Sequence, residues 1–217
     1  MTLHDVRFPN ETDEYRAARD ELLRAEMALR DHIEAVAALR RELPLGGLVE
    51  NYTFIGPDGP LQLADLFGDH DTLILYGFMF GAGAQAPCPM CSAFIDSVSG
   101  QLEHIHQRAA FAVVARNDIE PLETLFSSRG WQNVPFVSAA GNTFPTDYHT
   151  EMPGGAQVPM CHVFTRRDGE LRHFWTSELF FAPSDFHPRH IDMLWPLWHF
   201  FDITPEGRGE FMPRLEY

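Results

Sequence analysis

A mixed α/β sheet with one long helix ahead of it is the fold this sequence predicts, and three observations predict it. Apolar residues recur every seven positions from Tyr15 to Leu43. From Val49 onward, runs of β-forming residues alternate with helical patterns. Near the end, Asp168-Gly169 separates two β-rich runs, the signature of a hairpin. The chain has 217 residues, 45% of them hydrophobic and 22% charged, enough for one full core with an appendage.

The first segment runs from Asn10 to Leu43, with Asn10, Thr12 and Asp13 as acceptable caps and no Gly or Pro from Glu11 to Leu43. Tyr15, Leu22, Leu29, Val36 and Leu43 form its seam, and Ala18, Ala25, His32 and Leu39 fill the intermediate position. Such a stripe packs on its own domain or pairs two copies of the chain. A homodimer through this helix is the expectation, since one patch used twice is the commonest oligomer. Leu43-Pro44-Leu45-Gly46-Gly47 ends the helix and divides the chain into a 1–43 extension and a 44–217 domain.

In that second part, Tyr52–Ile55 reads as a strand, Gly56-Pro57-Asp58-Gly59 as a turn and Leu63–Phe67 as one helical turn. Thr72–Phe80 is an apolar run suited to a strand buried on both faces. After the Gly81–Pro87 loop, a helix is expected over Cys88–Arg108, a strand at Phe111–Ala115, a helix at Pro121–Arg129 and a strand at Val134–Ser138. Val158–Thr165 and Leu171–Thr176 flank the Asp-Gly turn, and a last helix is expected over Pro188–Phe201, kinked by Pro196.

The charge balance narrows the function. Sixteen bases stand against 31 carboxylates, a formal net charge of -15, so no basic face is available to nucleic acid. The sequence contains no lysine, which excludes Schiff-base chemistry, lysine-held pyridoxal phosphate and the P-loop lysine. No cofactor is implied. Thr72 to Ile95 lacks charge, but Gly77, Gly81, Gly83, Pro87 and Pro89 break it, so no membrane span is expected. The first residues carry no apolar signal core, and the expected location is the cytoplasm.

The chemistry lies in Cys88-Pro89-Met90-Cys91, placed after a buried strand and at the start of a helix. Backbone N–H groups left unpaired there favour thiolate over thiol, which makes Cys88 the nucleophile. Cys91, one turn further in, resolves the mixed disulfide. Pro89 suits the first helical position. A second feature is Pro159 at the start of a strand pattern. A proline there predicts a special turn, and a cis Val158–Pro159 bond is the expectation.

From about Val49 to Asp202 these features resemble the thioredoxin superfamily. There a strand leads into Cys-x-x-Cys at a helix start, a cis-proline precedes a later strand, and a hairpin and final helix follow. The resemblance implies that Val158 and Pro159 face the dithiol and contact substrate. More narrowly, several stretches look like the bacterial thioredoxin-like family designated domain of unknown function 899. They are Glu14-Tyr15-Arg16-Ala17-Ala18-Arg19, Leu63-Ala64-Asp65-Leu66-Phe67, Phe78-Met79-Phe80-Gly81, Cys88-Pro89-Met90-Cys91-Ser92 and Asp202-Ile203-Thr204-Pro205-Glu206-Gly207-Arg208. That likeness implies a dithiol–disulfide oxidoreductase acting on a protein or small-molecule disulfide. The chain departs from ordinary thioredoxins, with Ala86-Pro87 before Cys88, Pro-Met between the cysteines and no carboxylate in Thr72–Phe80. Gln85 stands where peroxiredoxins place Thr or Ser.

The alternative is a metal-binding or redox-sensing module without turnover. Cys88, Cys91 and Cys161 would then hold a thiophilic metal, with His162 as a further candidate. Cys161 and His162 are neighbours on a strand, however, and point to opposite faces, so at most one reaches the dithiol. His104, His106, His187, His190 and His199 read as surface or packing residues. The aromatic-rich C-terminal section, with Trp175, Trp195 and Trp198 beside Phe180, Phe181, Phe200 and Phe201, reads mostly as core packing, and an apolar groove beside the dithiol is the second reading.

Overall fold

The computed structural model describes residues 3–185 and 187–216. The chain forms two compact units, Met1–Pro44 and Leu45–Tyr217. The first is built on helix α1, Asp13–Arg41, capped by Thr12, whose hydroxyl accepts from the Tyr15 amide at 3.1 Å. Asp13 and Glu14 in its first turn and Arg40 and Arg41 in its last complement the helix dipole. Within it, Arg16 is buried and paired with Glu11 at 3.4 Å and Asp20 at 3.1 Å.

The second unit is one seven-stranded sheet in the order β2-β1-β5-β4-β3-β6-β7. The strands are β1 (Thr53–Gly56), β2 (Gly59–Gln62), β3 (Thr72–Phe78), β4 (Ala110–Ala115), β5 (Phe136–Ser138), β6 (Cys161–Arg167) and β7 (Glu170–Thr176). β3, β4 and β5 run parallel, and β6 and β7 join antiparallel beside β3. Helices α2 (Pro89–Ser99), α3 (Leu102–Ile105), α4 (Ile119–Arg129), α5 (Phe144–Asp147) and α6 (Pro196–Asp202) flank it. The arrangement is thioredoxin-like: β3 leads into the Cys88–Cys91 helix, and an antiparallel hairpin and a last helix follow.

Alternation divides the core into two layers. Tyr76, Phe78, Phe94, Val113 and Trp195 fill one face of the sheet, and Leu73, Leu75, Ala112, Phe144 and Phe164 the other. Each large side chain so buried contributes about 1.5–3 kcal/mol. Every residue of β4 is buried, as an inner parallel strand requires.

Several expectations need correction. The helix expected over Cys88–Arg108 is two, because Gly100 caps α2 and a second helix starts at Leu102. The expected helix over Pro188–Phe201 shortens to α6, with Pro196 at its first turn, where the missing N–H costs nothing, rather than at a kink. β2 was hidden by Gly59-Pro60, which are tolerated because β2 lies at the edge of the sheet. The expected Asp-Gly turn is present: Asp168 and Gly169 have φ of 52° and 80°, and they join β6 to β7. Among the described residues no helix is long and apolar enough to cross a membrane.

The Val158–Pro159 bond is trans, and no described peptide bond is cis. Pro159 lies two residues ahead of β6, where no ladder bond needs its nitrogen. Its neighbours anchor the segment instead: the Val158 amide donates to the Thr150 carbonyl at 2.9 Å, and the Met160 carbonyl accepts from Gly77 at 2.7 Å. The thioredoxin-like reading of this half therefore rests on the hairpin and the strand order.

Candidate functional site

Strand β3 delivers the chain to Cys88, which caps α2 with an extended backbone (φ -64°, ψ 125°) and is followed by Pro89 at the first helical position. Its amide donates to the Met79 carbonyl at 3.0 Å, and its carbonyl accepts from the Ser92 amide at 3.0 Å. The sulfur faces the helix start. A hydrogen bond from the Cys91 thiol, with support from the Cys91 and Met90 amides, draws the Cys88 pKa down to about 6 despite partial burial.

Cys91 is shifted the other way. It is 1% exposed, and burial first, then the neighbouring Cys88 sulfur, pushes its pKa well above the usual thiol range. The Tyr76 hydroxyl hydrogen-bonds its sulfur, and burial pushes the phenol up as well. The pair is one half-buried thiol favoured as thiolate, backed by one buried thiol held protonated. Such a pair is able to attack a disulfide through the first sulfur and release the product through the second.

A cavity of about 210 Å³ opens beside both sulfurs, walled by Tyr76, Pro159, Phe180, His190 and Trp195. Pro159 lines this cavity together with both cysteines, and Val158 is buried and is not among the lining residues. The His190 Nε2–H donates to the Pro159 carbonyl at 2.7 Å. Burial lowers the His190 pKa, which keeps the ring neutral. The segment carrying His190 and Trp195 is pinned by charge: Asp192, itself buried, accepts from Arg189 at 2.5 Å and from Arg208 at 2.7 Å, and both arginines also reach Asp202.

Cys161 lies in the same core layer as the dithiol, and burial alone pushes its pKa up to about 12. His162 points to the opposite layer, as strand alternation requires. Among the described residues no group of three or more His, Cys, Asp or Glu side chains is arranged to hold a metal ion. The Cys88, Cys91 and Cys161 set is therefore not assembled as a ligand cage. Sequence reasoning missed Tyr76 and His190 as cavity residues, whereas Phe180 and Trp195 belong to the aromatic section for which a groove beside the dithiol was the second reading. Only Tyr76 carried a usable signal, a hydroxyl in an otherwise apolar strand that leads to the dithiol.

The chain matches the family described as "Bacterial protein of unknown function (DUF899)" over residues 4–216, and it belongs to that family. No curated protein sequence matches it. Among solved structures, it is similar to a hypothetical protein from Sinorhizobium meliloti, at 16% identity and a TM-score of 0.44, covering 68% of this chain and 75% of that one. A mutant of PrxQ from Xylella fastidiosa is 14% identical with a TM-score of 0.47, over 73% of this chain and 98% of that one. Peroxidoxin BcpB from Mycobacterium tuberculosis is 16% identical with a TM-score of 0.43, over 71% and 95%.

Proposed function

We propose that this DUF899 member is a thiol–disulfide oxidoreductase working through Cys88 and Cys91. The observation that carries the reading is the opposed acidity of the two thiols beside one cavity. Cys88 thiolate attacks one sulfur of a substrate disulfide, forms a mixed disulfide and releases the first thiolate. Cys91 gives its proton to that leaving group and attacks the Cys88 sulfur. A Cys88–Cys91 disulfide forms and the second thiolate leaves. Two electrons pass from the dithiol to the substrate.

The cavity walls favour a small disulfide over a polypeptide. A peptide substrate docks on such a site by adding a strand, which needs free backbone groups. Here the Pro159 carbonyl is taken by His190, the Met160 carbonyl by Gly77 and the Val158 amide by Thr150. The cytoplasm, a reducing compartment, is the setting that suits a resting dithiol.

Mass spectrometry of the thiol state across a glutathione redox series, followed by turnover with hydroxyethyl disulfide and with insulin, tests the reading. Reversible Cys88–Cys91 oxidation with turnover of the small disulfide is expected. Oxidation without turnover of either substrate would leave redox sensing as the function. We propose in addition that α1 pairs two copies of the chain. A monomer mass by light scattering at tens of micromolar would overturn that.

A further inference from the structure

A second cavity, about 800 Å³, opens on the sheet face opposite the dithiol. His162 of β6 and His173 of β7 line it, with ring centroids 6.0 Å apart, and Tyr148 stands 5.5 Å from each. A bulge makes the cluster possible. Val163 pairs with Trp175 but Phe164 pairs with His173, so Phe174 is an extra residue in β7. His173 and Thr176, three positions apart, would otherwise point to opposite faces; the bulge puts both beside His162.

The hydrogen bonds fix which nitrogen carries the proton. The Thr176 hydroxyl donates to the Cys161 carbonyl at 3.1 Å, so its oxygen accepts from His162 Nδ1 at 2.8 Å. His162 Nε2 is therefore a bare lone pair, and it is buried without a partner. His173 donates to the Trp175 backbone, and its Nε2 is likewise buried and unpartnered. Burial, with His173 and His149 nearby, holds the His162 pKa near 3, and burial lowers that of His173, so both rings stay neutral acceptors. Leaving a buried acceptor unmatched is destabilising, and a donor brought by a ligand relieves it. His149, on the same wall, has a left-handed backbone (φ 54°), a conformation that clusters at binding sites.

Two lone pairs alone do not make a metal site, and no third His, Cys, Asp or Glu among the described residues completes one. The charged lining is acidic: Asp147 and Glu178, with no arginine. We propose that this cavity binds a small organic ammonium ion with an aromatic or branched apolar body. Its N–H donors meet His162 Nε2 and His173 Nε2, its charge faces Asp147 and Glu178, and its body packs on Leu179 and Phe181. The site shares no lining residue with the dithiol cavity and does not depend on the redox reading.

The test is a titration of the intact chain with phenethylamine, following the ring-nitrogen resonances of His162 and His173 by NMR. Hydrocinnamate, the matching anion, and zinc ion are run in parallel. Phenethylamine should bind saturably in the millimolar range and move both Nε2 resonances, and hydrocinnamate should not. His173→Ala, on the half-buried edge strand, should weaken binding by about tenfold or more. Thr176→Val, which removes the acceptor for His162 Nδ1 and frees the tautomer, should weaken it similarly. Unmoved ring resonances at millimolar amine, equal binding of the anion, or zinc binding these rings more tightly than the amine does would each overturn the proposal. The wild-type resonances decide the matter even if a variant fails to fold.

Discussion

The two faces of the sheet are made by the same strands, yet they treat titratable groups in opposite ways. On one face Cys88 is drawn toward its charged form, with a pKa near 6; on the other His162 is driven away from its charged form, with a pKa near 3. Cys88 sits at a helix start, where amides have no ladder partner and are free to donate to a thiolate. His162 sits inside a ladder, where the neighbouring backbone groups of β3 and β7 are already paired. The contrast teaches that hydrogen-bond donors at a helix start can outweigh partial burial and favour a thiolate, whereas full burial beside paired strands keeps a histidine neutral.

The largest break in that contrast is at Cys88. Cys88→Ser should reduce disulfide turnover to background, and Cys91→Ser should accumulate a mixed disulfide through Cys88. In the wild type, alkylation of Cys88 should rise with pH through about 6 and level off, whereas an ordinary thiol keeps rising toward 9. Faster alkylation of Cys91 than of Cys88 in a stopped-flow assay would reverse the roles.

His162 sharpens the comparison through stability. Its folded pKa lies below the 6.5 of the unfolded chain, so between pH 6.5 and 3 the unfolded state binds the extra proton. Stability should therefore fall as pH drops through that window, by up to about 1.4 kcal/mol per pH unit from this group. Urea titrations of the wild type and of His162→Gln should differ by that slope. Equal slopes would remove the neutral, buried histidine from the argument.

The smallest expected effect lies where the two layers meet. A Cβ on Gly77 would stand 2.4 Å from Thr150 Cγ2 and 3.2 Å from the Met160 carbonyl. Gly77→Ala should push this segment off β3 and destabilise the chain by about 1–3 kcal/mol by urea unfolding, through crowding rather than chemistry. A neutral result would show that the segment ahead of β6 shifts freely.

Much of the fold was legible because its signals are local. The Cys88-Pro89-Met90-Cys91 helix start, the Thr12 cap, the Asp168-Gly169 turn and the alternation that separates Cys161 from His162 each depend on a few neighbouring residues. The misreadings fall where a proline or glycine has two explanations. Pro159 and Pro196 each sit where their missing N–H is not needed, and that depends on where the adjoining element begins.

Sequence alone was enough for the long N-terminal helix, the α/β alternation and the placing of Cys88 and Cys91 at a helix start, because periodicity, capping and helix-end chemistry act over one or two turns. Tertiary packing was needed to bring Tyr76 and His190 to the dithiol cavity. It alone decided that a bulge at Phe174 turns His173 and Thr176 toward His162. These contacts join residues from different strands and loops, and their geometry comes from the register and packing of the whole sheet.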